Sequence, residues 1–442
     1  MDTVSGKKES SDLEIAALAA CTDGTEIQTH GMAYSIKDMG EFGFLTLRKR
    51  SGVVQCVWTK GESGFALSDI SVESSLRVYG TIHKDERAPN GFEIRLTGAD
   101  VLTRPKEAPG INLSKWKLGL TLEKDLELRP LTLRNVRERA IFKIQEGVVK
   151  GFRDYLMSQG FTEIHTPKIV ASGAEGGANI FKLDYFGRKA YLAQSPQFYK
   201  QTLVPVFERV FEVAPVFRAE KHNTTRHLNE YMGLDLEMGF IDSFYDVMDM
   251  ETGAIRNIME TLKTDYAKEV QMLKAEIPEV KEIPCVRFRE AKEMIAKEYN
   301  HKIKDPFDLE PEEEQLIGKL FKEKYDSDFV FVTHYPVKKR PFYAMDDPED
   351  PKYTLSFDLL FRGMEITTGG QRIHDYDMQV EKMISKGLNP DDFTSFLMIH
   401  KHGMPPHGGL GMGLERFVMK ILGEQNVRYA SLFPRDQSRL TP

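Results

Sequence analysis

Over the first quarter of the chain, hydrophobic and polar residues alternate in short runs. TEIQTHGMAYSI, FGFLTLRKR, GVVQCVWT, SSLRVYGTIHK and GFEIRLTGADVL are separated by Gly, Ser, Asp or Asn. Period-two runs punctuated by turn residues predict a small all-β module over residues 27–104, and five strands suit an OB-like barrel. A short flexible start, 1–26, precedes it. TRPKEAPGINLSKWK then carries Pro and Gly without a period, which reads as a linker over 105–135. At Val136 the spacing changes. Val136, Ala140, Ile144, Val148, Phe152 and Tyr155 recur at three and four residues, predicting a long amphipathic helix.

Downstream, KAYLAQS, RVFEVAPVFRAE, YMGLDLEMGF, DFVFVTHYP and LSFDLLFRGMEITTGGQ read as strands. Helical patterns fall near 244–270, 286–298, 311–325 and 375–387, with a last helix in GMGLERFVMKILG after the glycine-rich MPPHGGLG. Strands and helices do not alternate regularly. The expected fold class is therefore α+β, an N-terminal OB-type barrel followed by a domain over 136–442 with an antiparallel sheet flanked by helices. The charged segment at about 270–330 reads as a helical insertion.

Composition narrows the function classes. The 442 residues carry a formal net charge of −7, so nucleic-acid contact must come from local patches rather than bulk charge. Cys21, Cys56 and Cys285 are widely spaced and form no CxxC pair, which fits a reducing compartment. No apolar run reaches the roughly 18 residues a membrane span needs. The polar start MDTVSGKKESSD lacks a signal-peptide core. The expected location is cytoplasmic, away from membranes.

Four stretches carry candidate chemistry. In FRAEKHNTTRHLNEYMGLDLEM, Arg218 and Glu220 sit two residues apart and share a strand face. A connection containing Lys221, Arg226 and His227 follows, and Tyr231 and Asp235 lie on the return strand. A surface hairpin with incidental charge and a pocket for base, phosphate and ammonium are both open at this point. In SFDLLFRGMEITTGGQRIH, Asp358 and Glu365 would face opposite ways on a straight strand, but a turn or bulge at Arg362-Gly363 would bring them together. Two hard oxygen ligands near phosphate suit Mg²⁺. In HGMPPHGGLGMGLERFVM, the glycines match neither the Walker nor the dinucleotide pattern and fit close helix–sheet packing, with Arg416 in the first helical turn. In YLAQSPQFYKQ, Ser195 reads as an N-cap with Pro196 at the first turn, beside Gln194, Gln197 and Lys200. The motifs of a serine-nucleophile elbow and an HExxH zinc site are absent.

In this order, the four stretches resemble a class II aminoacyl-tRNA synthetase of subclass IIb, and more narrowly the archaeal/eukaryotic-type aspartyl-tRNA synthetases. The resemblance runs from about residue 27 to Pro442. GFTEIHTPKI looks like motif 1, the homodimer element; FRAEKHNTTRHLNEYMGLDLEM looks like motif 2, GMGLERF looks like motif 3, and LFPRDQSRLTP is typical of the subgroup. The resemblance implies ATP-dependent activation of L-aspartate to an adenylate and transfer to tRNA(Asp). It implies ATP contacts from Arg218, Glu220, Arg226, His227, Leu228, Tyr231, Glu365, Gly413 and Arg416, with Arg218 on the α-phosphate and Arg416 clamping the γ-phosphate as the catalytic pair. Tyr231 stands where relatives place a stacking Phe. Asp358, Glu365 and Thr368 would hold Mg²⁺. Glu175, Gln197, Lys200, Asp235, Thr368 and Arg372 would surround the amino acid, with Lys200 and Arg372 on its side-chain carboxylate and Asp235 near its ammonium. Glu175 lies in a loop that closes over the amino acid, where Ala174 replaces the usual Ser or Thr.

On the barrel, Phe44 would stack on an anticodon base, a role Phe42 could exchange with it, while Gln55 and Glu93 match positions that contact the central U. Arg48 is a phosphate-contact candidate. The nearest rival within the resemblance is an asparaginyl-tRNA synthetase. A site for the neutral amide would waste a buried lysine, so Lys200 favours aspartate. Pro89 matches members that also charge tRNA(Asn) and Tyr34 matches neither pattern, so the expectation leans towards an enzyme reading both tRNAs. A synthetase-like paralogue that ignores tRNA is a remoter alternative, since the barrel is retained.

Overall fold

The computed structural model describes residues 13–171, 179–221 and 224–442. The chain divides into two compact units after Arg139. In the first, a short helix α1 (Ile15–Ala20) precedes strands β1 (Glu26–Asp38), β2 (Phe42–Lys49), β3 (Gly52–Thr59), β4 (Ser75–Lys84) and β5 (Phe92–Thr103). These close into a barrel in the order β1-β2-β3-β5-β4. Alternation along the strands builds the barrel core. Leu45 and Leu47, Val54 and Cys56, and Phe92 and Ile94 are sealed inside, while Phe44, Gln55 and Glu93 point out from β2, β3 and β5. The stretch 105–135, which has no period, holds two short helices, α2 (Leu122–Glu127) and α3 (Arg129–Thr132). Thr121 caps α2 by accepting from the Lys124 N–H.

The long helix α4 (Val136–Ser158) starts where the spacing predicts and buries Ala140, Ile144, Val148 and Phe152. The second unit is built on an eight-stranded sheet. Its strands are β6 (Thr162–Glu163), β10 (Arg209–Phe217), β11 (Glu230–Gly239), β12 (Cys285–Arg287), β13 (Phe329–Thr333), β14 (Ser356–Phe361), β15 (Glu365–Gln371) and β16 (His407–Gly413). The order is β12-β13-β14-β15-β16-β11-β10-β6, antiparallel except at β12/β13 and β10/β6. A separate small sheet joins β7 (Ile169–Val170), β8 (Lys182–Tyr185) and β9 (Arg188–Leu192). The remaining helices are α5 (Gln197–Phe207), α6 (Phe244–Thr264), α7 (Ala267–Leu273), α8 (Phe288–Tyr299), α9 (Pro311–Tyr325), α10 (Tyr376–Ser385), α11 (Thr394–Lys401) and α12 (Leu414–Leu422). Ile144 and Val148 of α4 and Ile255 and Ile258 of α6 share one core with Phe211, Leu234, Leu236, Phe357 and Leu410 of the sheet. Burial of each such side chain contributes about 1.5–3 kcal/mol, so this face fixes the sheet that carries the site.

Helix α1 falls in the start expected to be flexible, and α2 and α3 in the stretch expected to be a linker; two further elements differ from expectation. HGGLGMG, read as packing glycines before a helix, is strand β16, inside the sheet between β15 and β11. Segment 270–330, read as a helical insertion, also supplies β12 to the sheet edge, and β13 begins at Phe329.

Candidate active site

The second unit contains a cavity of about 380 Å³ above β11, β15 and β16. Its first wall comes from β10 and β11, which pair from Arg209↔Met238 to Phe217↔Glu230. Arg218 and Glu220 lie just beyond the end of β10. The Arg218 N–H donates to the Asn229 carbonyl (2.9 Å). The Asn229 amide donates back to the carbonyls of Arg218 (2.6 Å) and Glu220 (3.2 Å), pinning the point where the strands part. Glu220 accepts from the Asn179 amide at 3.2 Å. Further along, the Val427 N–H and Arg428 Nη1 donate to the carbonyls of Thr225 and Thr224, both at 2.9 Å. His227 Nδ1 shares a hydrogen bond with Thr224 Oγ1 (2.6 Å). Burial and the Arg416 charge lower its pKa, which keeps the ring neutral.

The second wall is the β14–β15 hairpin. Arg362 and Gly363 turn it with φ of 48° and 70°, the paired left-handed conformation of a tight hairpin turn. A register shift between Leu359 and Leu360 places Asp358 opposite Thr368, and Thr368 Oγ1 donates to Glu365 Oε1 at 3.2 Å. The bulge thus overrides the strict alternation that would separate the two carboxylates. Burial pushes Asp358 up to about 6, with Glu365 adding to the rise against the pull of Arg340. Glu365 is also raised by burial, but Arg416, Arg340, Arg226 and Arg218 outweigh that and hold it below the usual range. Among the described residues no group of three or more His, Cys, Asp or Glu could hold a metal. Glu365 and Thr368 face the cavity and suit Mg²⁺, which completes its shell with water and phosphate oxygens, and Asp358 would join them on exchanging Arg340 for the ion.

The far end is buried and ionic. Gln197 and Lys200 lie three residues apart on α5, on one helix face. The helix begins at Gln197 with Pro196 at its cap position, so Ser195 is not the cap. Lys200 Nζ donates to Asp235 Oδ1 (2.8 Å) and the Leu410 carbonyl (2.7 Å), with Glu237 Oε2 at 3.4 Å. Arg372 donates from Nε to Glu237 Oε1 (2.8 Å) and from Nη2 to Oε2 (3.3 Å). Burial raises Asp235 despite Lys200, whereas Arg372 and then Lys200 overcome burial at Glu237 and lower it. Beneath them, burial drives His407 down to about 3, so its neutral ring sits against Gln201 Oε1 (3.1 Å). The floor is β16. A Cβ on Gly409 would lie 2.2 Å from Glu237 Oε2, so only glycine lets the strand pass under that carboxylate.

Arg218, Glu220, Arg226, His227, Leu228, Tyr231, Gly413, Arg416, Gln197, Lys200, Asp235, Glu365, Thr368 and Arg372 all line this cavity. Asp358 does not. It lies behind Arg340, whose Nη2 donates to it at 2.8 Å and whose guanidinium sits 4.0 Å from the Tyr335 ring centroid. Ala174 and Glu175 fall outside the described residues. On the barrel, Phe44 is half-buried and meets the exposed Phe42 edge-on at 5.8 Å, Gln55 donates to Glu93 at 3.1 Å, and Pro89 is exposed. Two barrel candidates are turned inward. Tyr34 is buried, its hydroxyl donating to the Leu113 carbonyl at 2.6 Å, and Arg48 is locked onto Glu73 by two hydrogen bonds of 2.6 and 2.9 Å. Neither presents its polar group to a nucleotide. Three residues of the site have no counterpart in the sequence reading: Glu237, Arg340 and Glu314. Glu237 follows Asp235 by two positions and was findable by the same alternation; the other two carry no local signal.

Residues 121–437 match the family model of tRNA synthetases class II (D, K and N), and residues 27–102 match the OB-fold nucleic acid binding domain. The chain belongs to the class II tRNA synthetases, and its substrates are therefore ATP, an amino acid and tRNA. Within that family, it is 46% identical to the aspartate–tRNA(Asp/Asn) ligase of Deinococcus radiodurans, over 95% of this chain and 96% of that protein. It is 46% identical to the ligase of the same name from Thermus thermophilus, over 95% and 97%. Among solved structures it is similar to the asparaginyl-tRNA synthetase from Pyrococcus horikoshii complexed with asparaginyl-adenylate (TM-score 0.87, 32% identity, 95% and 97% covered). It is also similar to a putative aspartyl-tRNA synthetase from Leishmania major (TM-score 0.87, 30% identity, 100% and 97% covered).

Proposed function

We propose that the protein is an aspartate–tRNA ligase that charges both tRNA(Asp) and tRNA(Asn). The observation that carries the aspartate assignment is the pair of buried cations, Lys200 and Arg372, at the closed end of the cavity. Lys200 is paired with Asp235 and Arg372 with Glu237, and once the substrate ammonium engages Asp235, a side-chain carboxylate takes its place on Lys200, which a neutral amide would do less well. The names of the Deinococcus and Thermus relatives support the breadth of tRNA use.

In the first step an oxygen of the aspartate α-carboxylate attacks the α-phosphorus of ATP, and pyrophosphate leaves. In the second a terminal ribose hydroxyl of the tRNA attacks the carbonyl carbon, and AMP leaves. Both reactants of the first step are anions, so the work of the site is to position them and spread charge. Arg218 meets the α-phosphate, Glu220 and Tyr231 take the adenine end, and Arg226 and Arg416 hold the distal phosphates. Asp235 takes the substrate ammonium, and Gln197 steadies the amino acid. Asp358, Glu365 and Thr368 would hold Mg²⁺, which supplies charge neutralisation between the phosphates when bound. Outside the cavity, Phe44, Gln55 and Glu93 form the anticodon face of the barrel. The protein acts as a homodimer through α4 and β6, an edge strand of its sheet. It works in the cytoplasm; among the described residues no helix is long and apolar enough to cross a membrane.

The deciding experiment is charging of purified tRNA(Asp) and tRNA(Asn) with labelled aspartate and asparagine. Aspartate on both tRNAs is expected. Asparagine on tRNA(Asn) would reverse the amino-acid assignment, and aspartate on tRNA(Asp) alone would reverse the tRNA assignment.

A further inference from the structure

Helix α9 belongs to none of the motifs that carry the family resemblance. It begins at Pro311 with a capping box between Glu310 and Glu313. Its second turn presses on the β14–β15 hairpin. A Cβ on Gly318 would lie 2.4 Å from the Gly363 N, and one on Gly363 would lie 2.8 Å from the Gln315 Cα. This close approach brings Glu314, itself buried, to the edge of the cavity.

There its Oε2 accepts from two donors. One is Arg226 Nη2 at 2.5 Å, and the other is the Glu365 N–H at 2.9 Å. The ring closes on the other side. Arg416 Nε donates to the Arg226 carbonyl and Arg416 Nη1 to the Glu365 carbonyl, both at 3.2 Å. Both arginines and Glu365 line the cavity. Glu314 is thus the carboxyl group that faces Arg226 and the first residue of β15 at once; burial pushes it up to about 7 against the pull of Arg226.

We propose that Glu314 is a positioning residue for ATP: it holds the Arg226 guanidinium in place for the polyphosphate and ties it to the start of β15. The inference rests on the ATP site described under the proposed function. A long, rotamer-rich arginine held before the nucleotide arrives loses less entropy on binding, so the brace strengthens binding without touching the ligand. Docking by Gly318 and Gly363 makes the geometry rigid rather than incidental.

The test is ATP affinity by calorimetry at about pH 8, where the Glu314 carboxyl is ionised, with ATP as the probe, on the full chain. Glu314→Gln keeps an acceptor for the Glu365 N–H but removes the charge that faces Arg226. It should weaken ATP binding about tenfold, the scale of one charge-assisted hydrogen bond, and leave the aspartate KM in pyrophosphate exchange unchanged. In an Arg226→Gln background the same substitution should cost little more, because its route to ATP is already cut. Unchanged ATP affinity in Glu314→Gln, or a loss that adds in full to that of Arg226→Gln, overturns the proposal. If Glu314→Gln does not fold, Gly318→Ala tests the same idea with every charged group retained. Its methyl forces α9 off the hairpin and should also weaken ATP binding, and unchanged affinity there overturns the proposal. Absence of aspartate-dependent exchange in the unaltered protein would count against the ligase assignment and leave the ATP measurement standing.

Discussion

Lys200→Met is the substitution that separates recognition of the amino acid from recognition of ATP. It keeps an apolar stem of similar length in a site where the lysine side chain is 2% exposed, and removes one charge. A substrate carboxylate about 4 Å from the ammonium gains about 4 kcal/mol at an effective dielectric near 20. Lys200 already shares its charge with Asp235 at 2.8 Å and Glu237 at 3.4 Å, so we take about half of that as the lower bound. The kcat/KM for aspartate in ATP–pyrophosphate exchange should fall about 30- to 1,000-fold, since each 1.4 kcal/mol is tenfold. The ATP KM should stay within about threefold, because binding lost at one end of a site is not lost at the other. The fold should also weaken, since stripping one partner from a buried pair costs about 3–5 kcal/mol. Asp235, already raised by burial, offsets part of this by taking up a proton. A variant that keeps the aspartate KM and rate, or loses ATP and aspartate to the same extent, refutes the carboxylate-binding role.

Arg218→Ala should abolish exchange, and normal exchange in that variant would sink the α-phosphate assignment. Asp358→Asn should raise the Mg²⁺ concentration for half-maximal exchange by about tenfold or more, read from a metal titration. Phe44→Ala should raise the KM for tRNA about tenfold, in line with one lost base stack, while exchange without tRNA stays at the unaltered rate. Glu251 predicts a pH effect on stability. Burial pushes its carboxyl from 4.5 up to about 8, against an opposing pull from Thr367. Folding therefore takes up a proton between those values, and the stabilisation is full below about pH 4.5 and lost as pH rises through about 8. Glu251→Gln should gain on the unaltered protein by about 1.4 kcal/mol per pH unit across that window, read as a Tm difference that widens from pH 5 to pH 8.

Strands β10 and β11 are legible because RVFEVAPVF and YMGLDLEMG alternate, and helix α4 because its apolar residues recur at three and four. Strand β16 is hidden, since four of its seven residues are glycine and a strand without side chains has no period to read. Asp358 and Glu365 come near each other only through a bulge, which their spacing permits and does not require. Glu314 meets Arg226 across 88 residues of chain, and Arg340 meets Asp358 from a turn beside a proline, so neither contact leaves a local trace. Tyr34 and Arg48 show the opposite failure. Each is the right residue type for nucleic acid, but the barrel spends one on the Leu113 carbonyl and the other on Glu73.

The glycine floor of the cavity bears on how an inhibitor of this enzyme would age. A compound lying flat on β16 meets backbone there and few side chains, so drug resistance cannot arise by trimming a contact. It would have to add a side chain, and a Cβ at Gly409 collides with Glu237, while one at Gly411 comes within 3.1 Å of Asp235. Both carboxylates are tied to the cations that we assign to the substrate. Escape at Gly411 would therefore carry its own loss of fitness, whereas Gly413, where a Cβ would meet nothing closer than 4.0 Å, is the position of this floor at which resistance would first appear.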